Sequence, residues 1–478
     1  NPSDRVDQVL RLEPSVPVEG LPEAVHFPPG QKSAALDGLT VAAPGDLVVL
    51  LSDEAGNRLA ESNPLRIVAR ADLLPYWGDL HGQSEETIGT NSAEDYFHFA
   101  RDIGFLDVMS HQGNDFQITT PFWNRLNELS AAYNRDGSFV VFPGFEWSGN
   151  TGLGGDRNVL YMREGRPIHR SSHALVDDVS DVHLDANTAE ELFHALKNED
   201  CVVFAHIGGR YADIKFAHDI RLERSIEIHS DWGSFEWLLH DALEQGYRVG
   251  ILANSDGHKG RPGASYPGAS LFGAYGGLSC MLAKDLSRAG IVEALRRRHH
   301  YATTGCRMWL DVRARFEGPA ERFEDDPQLG PTRRYAAATA MMGDIVRVDG
   351  SMATLMVEAL GSAPIERQGS EAPRRDASFV AGVDHGRVRR LRRLAGTSNG
   401  RHAHDRHAAG QAGDPGRLDR PGGPGLCQWR DKAPDPRFPP ARREPASPHQ
   451  AGAPHPPQPG SGRRALCLSD PGGRSPDL

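Results

Sequence analysis

Between Tyr76 and Val312 the sequence alternates short apolar runs with amphipathic helical text, and this alternation limits the fold more than any other feature. Phe105–Met109, Phe139–Phe142, Cys201–Ala205, Ser225–Ile228, Val249–Ala253 and Leu278–Leu282 have the length of buried strands. Ser92-Ala93-Glu94-Asp95 and Thr188-Ala189-Glu190-Glu191 have the form of capping boxes opening helices. Leu192, Phe193 and Leu196 follow at helical spacing, and Phe235–Leu243 and Leu286–Arg298 are two further helical candidates. Strands alternating with helices imply an α/β fold of parallel βαβ units, which carries its functional groups at the carboxyl ends of the strands.

Those ends are where the reactive side chains fall. His81 sits in Gly78-Asp79-Leu80-His81-Gly82-Gln83 and His111 in Val108-Met109-Ser110-His111. Glu146 stands in Gly144-Phe145-Glu146-Trp147, His206 follows Ala205, and His229 follows Glu227-Ile228. Asp256 and His258 lie in Asn254-Ser255-Asp256-Gly257-His258. A single histidine at a strand end is more often a satisfied structural residue than a ligand. Six such ends in one domain would converge on a common mouth, and imidazoles mixed with carboxylates suit zinc, manganese or iron.

These blocks, in this order, resemble the polymerase and histidinol phosphatase (PHP) superfamily of metal-dependent phosphoesterases over about residues 70–310. The Tyr76–Ser84 block is most similar to the branch called domain of unknown function 3604. The resemblance implies a distorted (β/α)7 barrel with metals in its mouth. It carries the ligand role to His81, His111, Glu146, His206, His229, Asp256 and His258, and implies two divalent ions, with Glu146 bridging them. The chain departs from the family pattern at Gln83, which replaces the second histidine of H-x-H, and at Ser110, which replaces the aspartate of T-D-H. Glu86 is near, but out of register with, a further family aspartate. A carboxamide coordinates only through its oxygen and is a poor zinc ligand, so a third metal is not expected.

Two ions about 3.5–4 Å apart would activate a water and clamp both oxygens of a phosphoester in displacement. In that chemistry Asp256 or a neutral histidine would orient the water, and His258 would protonate the leaving oxygen. Arg157, Arg210, Lys259 and Arg261 supply cationic partners for a small-molecule phosphate ester. Trp77, Trp147 and Trp232 have the chemistry to stack on a base or sugar, although core packing is the safer reading of each. Two readings compete with the phosphoesterase: an amidohydrolase-like barrel cleaving C–N or carboxylic ester bonds, and a non-catalytic metal-binding module. The sequence carries no zinc-finger, P-loop or Rossmann motif.

The flanks read differently. Residues 1–75 carry short β-type runs, including Leu39–Ala42 and Asp46–Leu51, between turn signals. Residues 313–367 return to β text and read as the start of a C-terminal β domain. From Gln368 to Leu478 the chain holds 16 of its 34 prolines and no Ile, Met or Tyr. There 19 basic against 11 acidic residues give +8, leaving −19 on the rest of a chain whose net charge is −11. Such text does not bury enough apolar surface to offset chain entropy and is expected to be disordered. Its Arg/Pro/Gly bias with a single Lys fits a GC-rich gene read in a shifted frame better than a basic linker.

The overall negative charge gives the folded part no general attraction to nucleic acid or anionic lipid. No apolar run has the length of a membrane span. The five cysteines, Cys201, Cys280, Cys306, Cys427 and Cys467, show no C-x-x-C spacing and suggest neither a disulfide framework nor a thiolate zinc site. Residues 1–4 have no signal-peptide pattern, so the expectation is a soluble protein, cytoplasmic or exported with its signal removed.

Overall fold

The computed structural model describes residues 7–363 except 267–271 and 349–351, with four short strands beyond. Those strands are Gln368–Ser370, Phe379–Ala381, Leu394–Ala395 and Leu466–Ser469. The rest of 368–478, the stretch expected to be disordered, lies outside the described residues.

The N-terminal part is a small antiparallel sheet. Gln8–Pro14 pairs with Ala24–Phe27 on one side and Val49–Ser52 on the other. Alternation puts Leu10 and Leu12, and Leu47, Val49 and Leu51, into one buried cluster with Phe27. Leu39–Ala42 forms no strand of its own; Thr40 makes a single bridge to Glu19.

The central part contains two sheets. In the first the strand order is Val140–Phe142, Val108–Ser110, Leu74–Asp79, Leu278–Ala283, His300–Thr303. Its first three strands run parallel and its last two join antiparallel. The second sheet runs Gly144–Trp147, Arg157–Tyr161, Cys201–Ala205, Ser225–Ser230, with Gly250–Ala253 also on Ser225–Ser230. The chain steps from one sheet to the other at Pro143. Across the opposite seam His300 reaches over, Nδ1 donating to the Ile251 carbonyl at 2.9 Å and Nε2 lying 2.8 Å from Ser225 Oγ. Leu80, Val108, Val140 and Met281 from the first sheet meet Leu160, Val202, Phe204 and Leu252 from the second in one buried cluster.

The central part is therefore mixed α/β. Its ladder does not run unbroken round a barrel among the described residues, and helices do not follow every strand. The hairpin of Gly144–Trp147 with Arg157–Tyr161 has only a short 3-10 turn between its strands, so no parallel crossover forms there.

Helices form where the text provides caps and an apolar stripe. Ser92 accepts from the Asp95 amide, and Ala93–Asp102 buries Ala93, Tyr96, Phe97 and Ala100. Thr188 and Glu191 complete a reciprocal capping box ahead of Ala189–Leu196. Thr120–Tyr133, which the sequence reading did not pick out, is capped by Thr119 and has Pro121 in its first turn. Downstream, Trp309–Phe316 crosses residue 312 and pairs along its whole length with Met352–Leu360. Among the described residues no helix is long and apolar enough to cross a membrane.

Candidate metal centre

Strand ends from both central sheets bring the reactive groups together. Leu74–Asp79 delivers His81, Cys201–Ala205 delivers His206, and the residues after Gly250–Ala253 deliver Asp256. Glu146 and Glu227 lie within their strands. The loops of His81 and Asp256 are stitched to each other, with the Asp256 amide on the His81 carbonyl at 2.9 Å and the Gln83 amide on the Gly257 carbonyl at 3.0 Å. Asp256 takes a left-handed backbone, φ 47°.

The two histidine rings stand edge to face, 4.3 Å between centroids. Each has its Nδ1 on the same Glu227 oxygen, at 3.2 Å for His81 and 2.9 Å for His206. A carboxylate only accepts, so each Nδ1 carries a hydrogen, and Nε2 is the ring atom left to bind an ion. The Nε2 atoms converge on the Asp256 carboxylate, 3.3 Å from His81 and 3.1 Å from His206. Glu146 closes the group at 3.7 Å from His81 Nε2 and 4.0 Å from His206 Nε2. All four side chains are buried. His81 Nε2, His206 Nε2 and Asp256 Oδ1 have no hydrogen-bond partner.

Buried polar atoms are nearly always paired, so three orphans facing one another need a common partner. A divalent cation suits this place, because His81, Glu146 and His206 each have a donor atom within 4.8 Å of the others. Gly208 keeps the approach open, since a Cβ there would stand 2.5 Å from His206 Nε2.

Carboxylates dominate the local charge. Burial and His81 oppose protonation of His206, yet Glu227 and Asp256 carry its pKa up to about 10. Burial would raise the Glu227 carboxyl, but His81 and His206 bring it down to about 2. Two more carboxyls crowd the rim. Burial and then the charge of Glu146 push Asp156 well above the ordinary range, while burial and then Asp256 push Asp231 up to about 8. Each would ionise more readily beside a cation.

Other residues singled out in the sequence are held by different partners. His111 bonds Ser84 Oγ through Nε2 at 2.8 Å and packs against the edges of Tyr96 and Phe122. Burial drives its pKa down to about 3, so it is neutral. His229 is a correction: its nitrogens face Ser234 Oγ at 2.7 Å and the Tyr275 carbonyl at 2.9 Å. The pairing register shifts between Glu227 and His229, so the bulge puts Glu227 under the histidine pair instead.

Arg157 is the second correction, because every donor of its wholly buried guanidinium has a protein partner. Nε binds Glu223 at 3.0 Å, and the terminal nitrogens serve the carbonyls of Gly154, Gly155, Asp213 and Ala217. Arg210 remains at the mouth, 3.5 Å from Asp156 and over the Phe116 ring at 4.7 Å. Lys259 is half-buried and Arg261 exposed on the loop after His258. Trp147 is core, with Nε1 on the Ala186 carbonyl, and Trp77 packs edge-on to Tyr301. Trp232 is 38% exposed and stacks on Phe272, which in turn meets the His258 ring at 5.1 Å.

Residues 266–368 match the model of a family described as a protein of unknown function, DUF3604. This chain resembles the DUF3604 family. Among curated proteins it is 24% identical over 318 residues to an uncharacterized protein of Chlamydia pneumoniae, and 24% identical over 323 residues to one of Chlamydia trachomatis. Each alignment covers 59% of this chain and 48% of the relative, so the chain spans about half the length of the curated relatives it matches. Among solved structures, one similar chain is a two-domain protein containing a predicted PHP-like metal-dependent phosphoesterase from Bacteroides vulgatus. It is 11% identical with TM-score 0.38, over 67% of this chain and 98% of the other. Another is Endonuclease Q in complex with a 27-mer duplex bearing an abasic lesion, 12% identical with TM-score 0.31, over 46% and 56%.

Proposed function

We propose that the two central sheets are the halves of a distorted PHP-like (β/α)7 barrel, and that the chain is a metal-dependent hydrolase of small phosphate esters. One observation carries the reading: His81 Nε2, His206 Nε2 and Asp256 Oδ1, all buried and unpaired, converge beside Glu146. His81, His206, Asp256 and Glu146 would hold the ion. A bound divalent cation supplies activation of water and neutralisation of phosphate charge. Glu227 keeps both imidazoles in the tautomer that offers Nε2. Arg210, part-exposed beside Asp156, would orient a phosphate oxygen through its guanidinium. His258 donates its Nδ1 hydrogen to the Asp256 carbonyl at 2.8 Å, so its Nε2 is an acceptor and takes a proton before it can give one to a leaving oxygen.

Elemental analysis of the purified chain, paired with a panel of phosphate monoesters, diesters and amides plus manganese or zinc, tests the proposal. Bound metal with hydrolysis of a phosphoester is the expected result. Metal-loaded protein that cleaves only amides or carboxylic esters would move it to the amidohydrolase-like reading. Metal-loaded protein that cleaves nothing would make it a binding module.

A further inference from the structure

We propose that the centre holds one cation tightly, and that the carboxamide of Gln83 occupies the position a second would take. The inference rests on the metal-dependent reading above. It starts from the other half of the site, where Gln83 Nε2 lies 3.4 Å from His258 Nε2 and 3.5 Å from Glu146 Oε2.

Both neighbours are acceptors. The Asp256 carbonyl accepts the Nδ1 hydrogen of His258, leaving a lone pair on Nε2, and the carboxylate oxygen only accepts. An amide NH2 has two hydrogens, one for each. Thr87 fixes which way the amide faces, its Oγ1 donating to Gln83 Oε1 at 2.9 Å. The reverse orientation would press an oxygen against a carboxylate and a lone pair.

Glu146 supports the same assignment independently. Its Oε2 also accepts from Asn114 Nδ2 at 2.7 Å, so two amides take up the lone pairs a second cation would need. Asn114 is in turn held by Ser148 Oγ at 2.8 Å. His81 Nε2, His206 Nε2 and Asp256 Oδ1 lack partners, whereas the donor atoms of His258, Gln83 and Glu146 do not. The ring nitrogens of His81 and His206 are open to an ion, whereas His258 Nε2 and Glu146 Oε2 already face neutral N–H groups.

The test is metal stoichiometry of the full chain, stripped with chelator and titrated with Zn²⁺ or Mn²⁺, read by elemental analysis and calorimetry. Wild type should bind one ion per chain. Gln83→His and Gln83→Glu should each bind two, the first by adding an imidazole and the second by replacing the NH2 with an acceptor of the same shape. Thr87→Val, which frees the amide to turn its oxygen inward, should tighten second-ion binding about tenfold, the lower end of what outer partners of ligands contribute. Matching circular dichroism melts confirm that the variants are folded, and the near-isosteric Glu covers a failure of the His variant. Two ions of comparable affinity in wild type overturn the inference, as do folded Gln83 variants that stay at one. No ion in wild type overturns the metal reading itself, a different result from either.

Discussion

Two buried charged clusters lie near one another in this molecule, and they are built on opposite principles. Around Arg157, Glu223 accepts from the guanidinium through one oxygen at 3.0 Å and faces His218 Nδ1 through the other at 3.1 Å. The remaining Arg157 donors end on backbone carbonyls. Around His81, an equally buried set of imidazoles and carboxylates leaves three atoms unpaired and pointed at one another. Burial is common to both, so burial does not distinguish a functional cluster. Completeness of pairing does. A closed cluster ties elements together, while an open one is shaped for something that arrives from outside.

The sharpest way to break that comparison is to open the closed cluster. Arg157→Ala strands the Glu223 carboxylate and should cost about 3–5 kcal/mol of stability in urea unfolding, the usual penalty for removing one partner of a buried pair. A change confined to substrate affinity, with stability intact, would return Arg157 to the phosphate-binding role. Next, the open cluster should gain stability from its ion. At a metal concentration about a hundredfold above Kd, folding should be strengthened by about 2.7 kcal/mol, and His81→Ala should abolish that gain in a thermal melt. Equal metal stabilisation of the variant would place the ion elsewhere.

Glu227 sharpens the contrast because it belongs to the open cluster yet is proposed to touch no ion. Glu227→Gln should weaken metal affinity about 10–100-fold by calorimetry while leaving the stoichiometry unchanged. Loss of a whole equivalent would make it a direct ligand. A contrast of another kind comes from His300, which is buried at the seam between the sheets. Burial holds its pKa down to about 4, below the ordinary 6.5, so the unfolded chain binds the extra proton. Stability should therefore fall as pH drops from about 6.5 toward 4, by at most about 1.4 kcal/mol per unit from this residue. His300→Gln should flatten that part of the profile, and an unchanged slope would assign the acid sensitivity to other groups.

What the sequence made legible follows from strand periodicity. His81, His206, Asp256 and Glu146 stand in or just beyond apolar runs, and a run of that kind has one place to end. Glu227 and His229 were harder to separate, since residues two apart share a face on a straight strand and only the bulge between them decides which turns inward. Arg157 misled for a related reason. In Gly154-Gly155-Asp156-Arg157 it reads as loop, but it opens a strand and its side chain runs inside. The same local text hid Asp156 at the rim. The antiparallel pairings of Arg157–Tyr161 and Leu278–Ala283 were not legible either, because strand text carries no direction. Thr120–Tyr133 went unseen because polar residues interrupt its stripe of Trp123, Leu126 and Leu129.

The left-handed backbone of Asp256 has a consequence for how this centre can vary. The residue serves the histidine pair with its carboxylate and the His258 ring with its carbonyl, and a left-handed φ favours Gly, Asn and Asp over longer side chains. Asn retains the conformation and loses the charge, Gly loses the side chain altogether, and Glu keeps the charge on a backbone that resists it. In a saturation library the codon would have routes that keep the fold and routes that keep the charge, with no single replacement on both.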